Sequence, residues 1–118
     1  MRRVLRERAR EREEAIRLAR RYARRLAKRL GPLSAYLIGS YARGDFNEGS
    51  DIDMLIISDA LPTHPQRRAE LLYYCLLPGI EPRGYTAAEF RRLLEKGDPA
   101  AREAVERDSI IEGSRIPN

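Results

Sequence analysis

Residues 34–58 read SAYLIGSYARGDFNEGSDIDMLIIS, two apolar runs joined by a stretch rich in glycine and acidic residues. The first five residues predict a short strand that ends at Gly39-Ser40, and the four that follow this turn predict one or two turns of helix. Residues 51–58 are apolar on both faces once their two aspartates are passed, which predicts a strand in the interior of a sheet. Strand, turn, short helix and strand in this order indicate an α/β protein.

The segment before this stretch predicts one long helix over residues 1–30. Apolar residues recur at spacings of three and four from Ala15 to Leu30, and Gly31-Pro32 is a strong stop signal. A helix of 30 residues is about 45 Å long, whereas a globule of this size has a radius of gyration near 13 Å. We therefore expect the second half of the helix to pack, and roughly the first dozen residues to project, fray or meet a partner.

The basic charge of the chain belongs to this helix. Residues 1–30 contain twelve arginines and one lysine against four glutamates, a net charge of +9, so the rest of the chain carries −4 of the overall +5. This charge is consistent with a docking face for an acidic or polyanionic partner, with a solvated helix face, or with a protein from a hot environment. A nucleic-acid-binding arm is a weaker alternative, because no aromatic residues are interleaved for base stacking.

The segments after the central stretch predict helices and one edge strand. A helix is expected over residues 66–76, followed by a third strand over residues 80–85 that Pro82 confines to a sheet edge, because proline cannot donate to a ladder. Thr86 and Glu89 fit a capping box that opens a helix to about Lys96. A last helix is expected from Pro99 to about Asp108, and we predict no element after it.

Length and composition exclude several classes of protein. The 118 residues suit a single domain, and Cys75 and His64 are the only cysteine and histidine, so an internal disulfide, a cysteine zinc cage and a His-pair metal site are excluded. The setting of Cys75 predicts a buried thiol. Neither a membrane-spanning run of about 20 apolar residues nor a secretory signal is recognisable, and we expect a cytoplasmic protein without membrane contact.

Asp51 and Asp53 are the residues that most clearly suggest a metal-binding active site. They are one residue apart on a strand, so their side chains share a face, with Cα atoms about 6.6 Å apart, and both can reach the same pair of cations. The alternative to cation binding is that both aspartates cap a turn. This alternative explains Asp51 adequately but Asp53 poorly, because an unpaired carboxylate within an apolar strand destabilises the fold by several kcal/mol. At the Gly39-Ser40 turn, free backbone N–H groups and the missing Cβ allow a phosphate to approach closely.

The series Gly39-Ser40, Ala42-Arg43-Gly44 and Ser50-Asp51-Ile52-Asp53 resembles the DNA polymerase β nucleotidyltransferase superfamily, and within it the small single-domain minimal nucleotidyltransferases. The likeness covers roughly residues 33–96. It implies a palm-like α/β fold, in which a small mixed β-sheet is flanked by helices, mainly on one side. The long basic helix of residues 1–30 would pack on a nucleotidyltransferase domain of residues 31–118.

The resemblance also implies the members of an active site. Asp51, Asp53 and a third carboxylate, for which Glu81 is the best positional match, would be catalytic and would hold two Mg²⁺ ions, with Mn²⁺ as an alternative. Glu81 replaces an aspartate common in the family, and the alternative is a surface residue after a turn. Gly39, Ser40 and Arg43 would bind the triphosphate of ATP. Arg43 could equally form a structural ion pair with Asp51 or Asp45.

The activity implied is transfer of AMP from ATP to an acceptor hydroxyl. Minimal nucleotidyltransferases often accompany a helical HEPN protein as the antitoxin of a toxin–antitoxin pair, which makes a HEPN protein the expected partner and acceptor. The alternative is a binding module, an antitoxin that neutralises its partner by contact and retains a vestigial nucleotide site. In either case we favour partner docking as the role of the basic helix.

Overall fold

Four strands form one mixed sheet in the computed structural model, which describes residues 2–107 and 109–114. The elements are α1 (Arg2–Leu30), β1 (Ser34–Ile38), α2 (Ser40–Arg43), β2 (Ile52–Ile57), α3 (Pro65–Tyr74), β3 (Ile80–Tyr85), α4 (Ala87–Lys96), α5 (Pro99–Glu106) and β4 (Ile110–Glu112). The strand order is β3-β2-β1-β4; β1 runs antiparallel to β2 and β4, and β2 runs parallel to β3. The interior position of β2 and the edge position of β3 are as predicted.

Helices cover both faces of the sheet, so the expectation that they lie mainly on one side is wrong. One face packs against α1 and α3 through Ala35, Leu37, Met54 and Ile56. The other packs against α4 and α5 through Tyr36, Ile38, Leu55 and Ile57, which meet Phe90, Ala101 and Ala104. Because β2 is apolar on both sides, a single helical layer would leave one of its faces in water.

Helix α1 packs through its second half, as predicted. Tyr22 is fully buried, and its hydroxyl donates a 2.6 Å hydrogen bond to the carbonyl oxygen of Leu72 in α3. At the other end Val4 and Leu5 are exposed, and the molecule measures 47 Å along its longest axis. The first residues of α1 therefore project from the globule. Among the residues described, no helix is both long enough and apolar enough to cross a membrane.

Strand β4 is an element that the sequence does not predict. It pairs with β1 through Ala35 and Glu112 and through Tyr36 and Ile110, with a shift of register between the two pairs. Three residues are too few to display a strand period, and their pairing depends on contact with a segment far away in the chain. The preceding helix ends at Glu106, and Asp108, where the prediction ended it, lies outside the described residues.

The predicted capping box of α4 is present and extends into an ion pair. The Thr86 hydroxyl accepts a hydrogen bond from the Glu89 N–H at 3.2 Å, and the Glu89 carboxylate accepts one from the Thr86 N–H at 2.7 Å. Arg68 of α3 donates to the same carboxylate at 2.7 Å and to the Gly84 carbonyl at 3.1 Å. One glutamate thus joins α3, α4 and the end of β3.

Glu89→Gln should lower the free energy of unfolding by about 1–3 kcal/mol at pH 7, the range for hydrogen bonds to charged groups. The hydrogen bond from Arg68, and after it the Thr86 N–H, lowers the pKa of Glu89 below its usual value. This stabilisation is present above about pH 4.3, the ordinary glutamate pKa, and is lost as the pH falls through the lower folded value. Urea unfolding of both proteins at pH 7 and near pH 3 measures the difference.

The matched control is Glu95→Gln, which makes the same change on an exposed residue of the same helix. We expect it to change the stability by less than about 0.5 kcal/mol at either pH, as is usual for surface positions. A Glu89→Gln penalty that stays constant or grows in acid would contradict the assigned ion pair.

Candidate active site

The two aspartates of the motif lie at the end of the sheet where β1 finishes and β2 begins. Asp51 immediately precedes β2 and is exposed, whereas Asp53 lies within the strand, pairs in register with Ile38 and is half-buried. Alternation along β2 gives Asp53 the same face as Leu55, the face covered by α4 and α5. The acidic pair therefore lies on the side of the sheet covered by α4 and α5, at the end of the sheet that these two helices leave uncovered.

Gly39 and Asp53 touch across β1 and β2. The backbone of Gly39 has φ 76° and ψ −155°, a region that residues with a Cβ rarely adopt. A Cβ added at this position would lie 3.2 Å from the Asp53 Cβ and closer still to the carboxylate oxygen Oδ2. Glycine is thus required both by the conformation of the turn and by the neighbouring carboxylate. The structure brings the Gly39-Ser40 turn and the aspartate together.

The Asp53 carboxylate lies in an unfavourable electrostatic setting. Burial raises its pKa above the usual aspartate value; Arg83 opposes this shift. The carboxylates of Asp51, Glu81 and Glu103 raise the pKa further. Within the described residues no group forms a hydrogen bond or ion pair with the Asp53 carboxylate. A group with this surplus of negative charge suits a divalent cation, and its oxygen atoms are the ligands that Mg²⁺ prefers.

Glu81 lies next to Asp53 in the sheet but turns its carboxylate elsewhere. The two residues are directly paired across the parallel strands β2 and β3, about 4.8 Å apart in the hydrogen-bonding direction. The side chain of Glu81 is exposed, and its Oε1 accepts a 3.2 Å hydrogen bond from the hydroxyl of Tyr73. In the described part of the chain, no three or more Asp, Glu, His or Cys side chains are grouped so as to hold a metal ion.

Arg43 forms ion pairs with two carboxylates. Its Nε lies 3.2 Å from Asp45 Oδ2, and its Nη1 lies 3.2 Å from Glu103 Oε1. The sequence left two roles open for Arg43, phosphate binding and a structural ion pair. The structure shows the ion pair with Asp45, and phosphate binding would require Arg43 to release Asp45 and Glu103. Glu103 was not among the predicted site residues, because it belongs to α5 and to no recognisable motif.

The loop that leads to Asp51 is held by its own turn. The hydroxyl of Ser50 accepts a 2.9 Å hydrogen bond from the Asn47 N–H and donates one to the Asn47 side-chain oxygen at 3.2 Å. These bonds close residues 47–50 into a turn directly before Asp51.

Helix α1 reaches this loop through two arginines that the sequence did not single out for the site. Arg8 donates to the carbonyl oxygens of Gly44 at 2.8 Å and Phe46 at 2.9 Å, and its guanidinium lies 4.3 Å from the centre of the Phe46 ring. Arg12 donates to the carbonyl oxygen of Tyr41 at 2.9 Å. The first half of α1 therefore fastens α2 and the loop that separates the Gly39-Ser40 turn from the aspartates.

Comparisons with known proteins concern the family and the fold. A family model described as a nucleotidyltransferase domain matches residues 19–117. A segment of 32 residues is 50% identical to a Methanocaldococcus jannaschii protein provisionally named a protein adenylyltransferase, and it covers 27% of this chain and about a third, 32%, of that relative. A crystal structure from Sulfolobus solfataricus, provisionally named a nucleotidyltransferase, superposes with a TM-score of 0.64 at 22% identity, over 72% of this chain and 78% of that one. The structural likeness supports the fold.

Proposed function

Because the chain belongs to the nucleotidyltransferase domain family, we propose that it transfers AMP from ATP to a hydroxyl group of an acceptor. The acceptor oxygen bonds to the α-phosphorus, the bond between the α- and β-phosphates breaks, and pyrophosphate leaves. The observation that carries this proposal is the contact between Gly39 and Asp53. It sets a half-buried carboxylate, which has no hydrogen-bond or ion-pair partner among the described residues, against a turn that lets a phosphate approach the backbone.

Different residues of the site would bind the cation and the nucleotide. Asp51 and Asp53 would hold one or two divalent cations, Mg²⁺ in the first place, since their side chains share one face. Such cations, when bound, neutralise the triphosphate and lower the pKa of an attacking hydroxyl. Gly39 gives the phosphates access to the backbone, and Ser40 adds a hydroxyl donor. Arg8 and Arg12 keep the intervening loop in place.

Glu81 is the proposed third carboxylate and needs a rotation to serve the reaction. Its backbone is already adjacent to Asp53, so a change of side-chain rotamer away from Tyr73 brings its oxygens toward the pair. A bond between two exposed groups is weak enough to be exchanged for a bound cation.

The proposed acceptor is a hydroxyl of a partner protein. This assignment follows the provisional name of the Methanocaldococcus jannaschii relative, a protein adenylyltransferase. The resemblance to minimal nucleotidyltransferases makes a HEPN protein the partner to test first. Modification with AMP would add a phosphodiester charge and a nucleoside to the partner surface.

A second candidate function is neutralisation of such a partner by contact alone. The bond between Glu81 and Tyr73 favours it, because the third carboxylate is directed away from Asp53. A chain that lacks a complete set of cation ligands would retain the fold and the partner surface while losing turnover.

One labelling experiment distinguishes AMP transfer from neutralisation by contact. The protein is incubated with Mg²⁺ and the HEPN protein encoded nearest to its own gene, with ATP radiolabelled in either the α- or the γ-phosphate. We expect the partner to acquire α-label and no γ-label, and chelation of the cation to prevent labelling. A stable complex without α-label would support neutralisation by contact, and γ-label on the partner would mean phosphoryl transfer instead.

A further inference from the structure

A groove of about 490 Å³ lies between α1, α2 and the segment that follows α5, apart from the acidic pair. Its lining combines aliphatic residues with three arginines: Ile16, Leu37, Ile111, Arg12, Arg20 and Arg107. Glu106 is an acidic residue of the same lining, and Arg107 lies 3.7 Å from Glu103. Among the described residues, Arg12 and Arg20 on α1 are therefore the two lining arginines that form no ion pair.

These two arginines are fixed in place without being neutralised. The Nε of Arg12 donates to the Tyr41 carbonyl at 2.9 Å, and the Nε of Arg20 donates to the Ile111 carbonyl at 3.2 Å. Neither forms an ion pair with a carboxylate of the described residues, whereas Arg24, one turn further along α1, is paired with Glu112 at 3.0 Å. Backbone carbonyls thus orient both guanidinium groups and leave their full charge and their remaining N–H donors for a ligand.

The separation of the two arginines indicates the size of the ligand. Eight residues of α-helix place them about 12 Å apart along the axis, and each is anchored to a different element, α2 or β4. An isolated phosphate is too small to be shared between them, but an extended chain of phosphates reaches both. Ser109 also lines the groove, but its Oγ is buried and does not face the bound chain.

We propose that this groove binds the phosphodiester backbone of single-stranded nucleic acid. A nucleic acid has a negative charge at every nucleotide, so both arginines are satisfied in any register, whereas an acidic peptide needs carboxylates at a matching spacing. The apolar residues of the lining are all aliphatic, so the groove offers no aromatic ring for base stacking. Binding is therefore independent of sequence, and its affinity falls with salt through release of counterions.

The test is fluorescence anisotropy with random-sequence single-stranded RNA and DNA oligonucleotides, at salt concentrations from about 50 to 300 mM. Arg12→Gln/Arg20→Gln is compared with Arg10→Gln/Arg21→Gln, which removes the same charge from exposed positions on the face of α1 opposite its buried residues. We expect the first variant to bind at least ten-fold more weakly and to reduce the salt slope by about 1.4, twice the value of 0.7 for one single-strand contact. The second should change affinity by less than about three-fold, through long-range charge alone.

Each other outcome overturns the proposal. Equal losses in the two double variants would assign binding to the net charge of α1 and not to the groove. Poly-glutamate that binds as tightly as the oligonucleotides, with the same sensitivity to Arg12 and Arg20, would make an acidic protein segment the ligand. Absence of binding at about 50 mM salt would exclude a nucleic-acid site. Asp53→Asn protein should bind oligonucleotide normally, so this test is independent of the proposed transfer reaction.

Discussion

Replacing Asp53 by asparagine should reduce nucleotidyl transfer by at least about a thousand-fold, the equivalent of roughly 4 kcal/mol of transition-state stabilisation. The substitution preserves the shape of the side chain and removes the charge that would hold a cation beside Gly39. The same change should leave the fold at least as stable, because burial and neighbouring carboxylates make this charge unfavourable in the free protein. Loss of activity without loss of stability distinguishes a functional carboxylate from a structural one.

The measurement combines single-turnover transfer from α-labelled ATP with urea unfolding of the same preparations. Glu48→Gln is the control, since it also removes one negative charge from the motif segment but at an exposed position outside the sheet. We expect the control to transfer at a rate within two- to three-fold of the native protein. Transfer by the Asp53→Asn protein at more than one-hundredth of the native rate would remove Asp53 from the mechanism.

The second large effect is expected at Gly39, where alanine should lower transfer by at least about a hundred-fold and stability by about 1–3 kcal/mol. Two causes act together. The backbone has a positive φ of 76°, which strains any residue with a Cβ, and the added Cβ would overlap the Asp53 carboxylate. Relief of that overlap must move either the Gly39-Ser40 turn or the aspartate.

Gly44→Ala separates the two causes. Gly44 also has a positive φ, of 90°, but a Cβ built there meets nothing within 4 Å. We expect Gly44→Ala to show a similar loss of stability in urea unfolding and to retain transfer within about five-fold, an effect of roughly 1 kcal/mol. Equal loss of transfer in the two alanine variants would mean that backbone strain, and not contact with Asp53, accounts for the effect at Gly39.

The elements that the sequence predicted correctly are those specified by their own residues. The apolar run of β2, the proline in β3, the capping box of α4 and the spacing of apolar residues in α1 each act over a few neighbouring positions. The shared face of Asp51 and Asp53 also rests on a period of two residues, but Asp51 lies just before β2, so it stays a prediction. The motif also sufficed for the family, which the match over residues 19–117 confirms.

Features that depend on distant contacts appeared only in the tertiary structure. The helices on both faces, the pairing of β4, the direction of the Glu81 side chain toward Tyr73 and the ion pair between Arg43 and Glu103 all join segments well separated in the chain. The carbonyl anchors of the α1 arginines belong to the same group. Local periodicity fixes which face a side chain occupies, but the partner it meets depends on which segments pack beside it and on the rotamer that this packing allows.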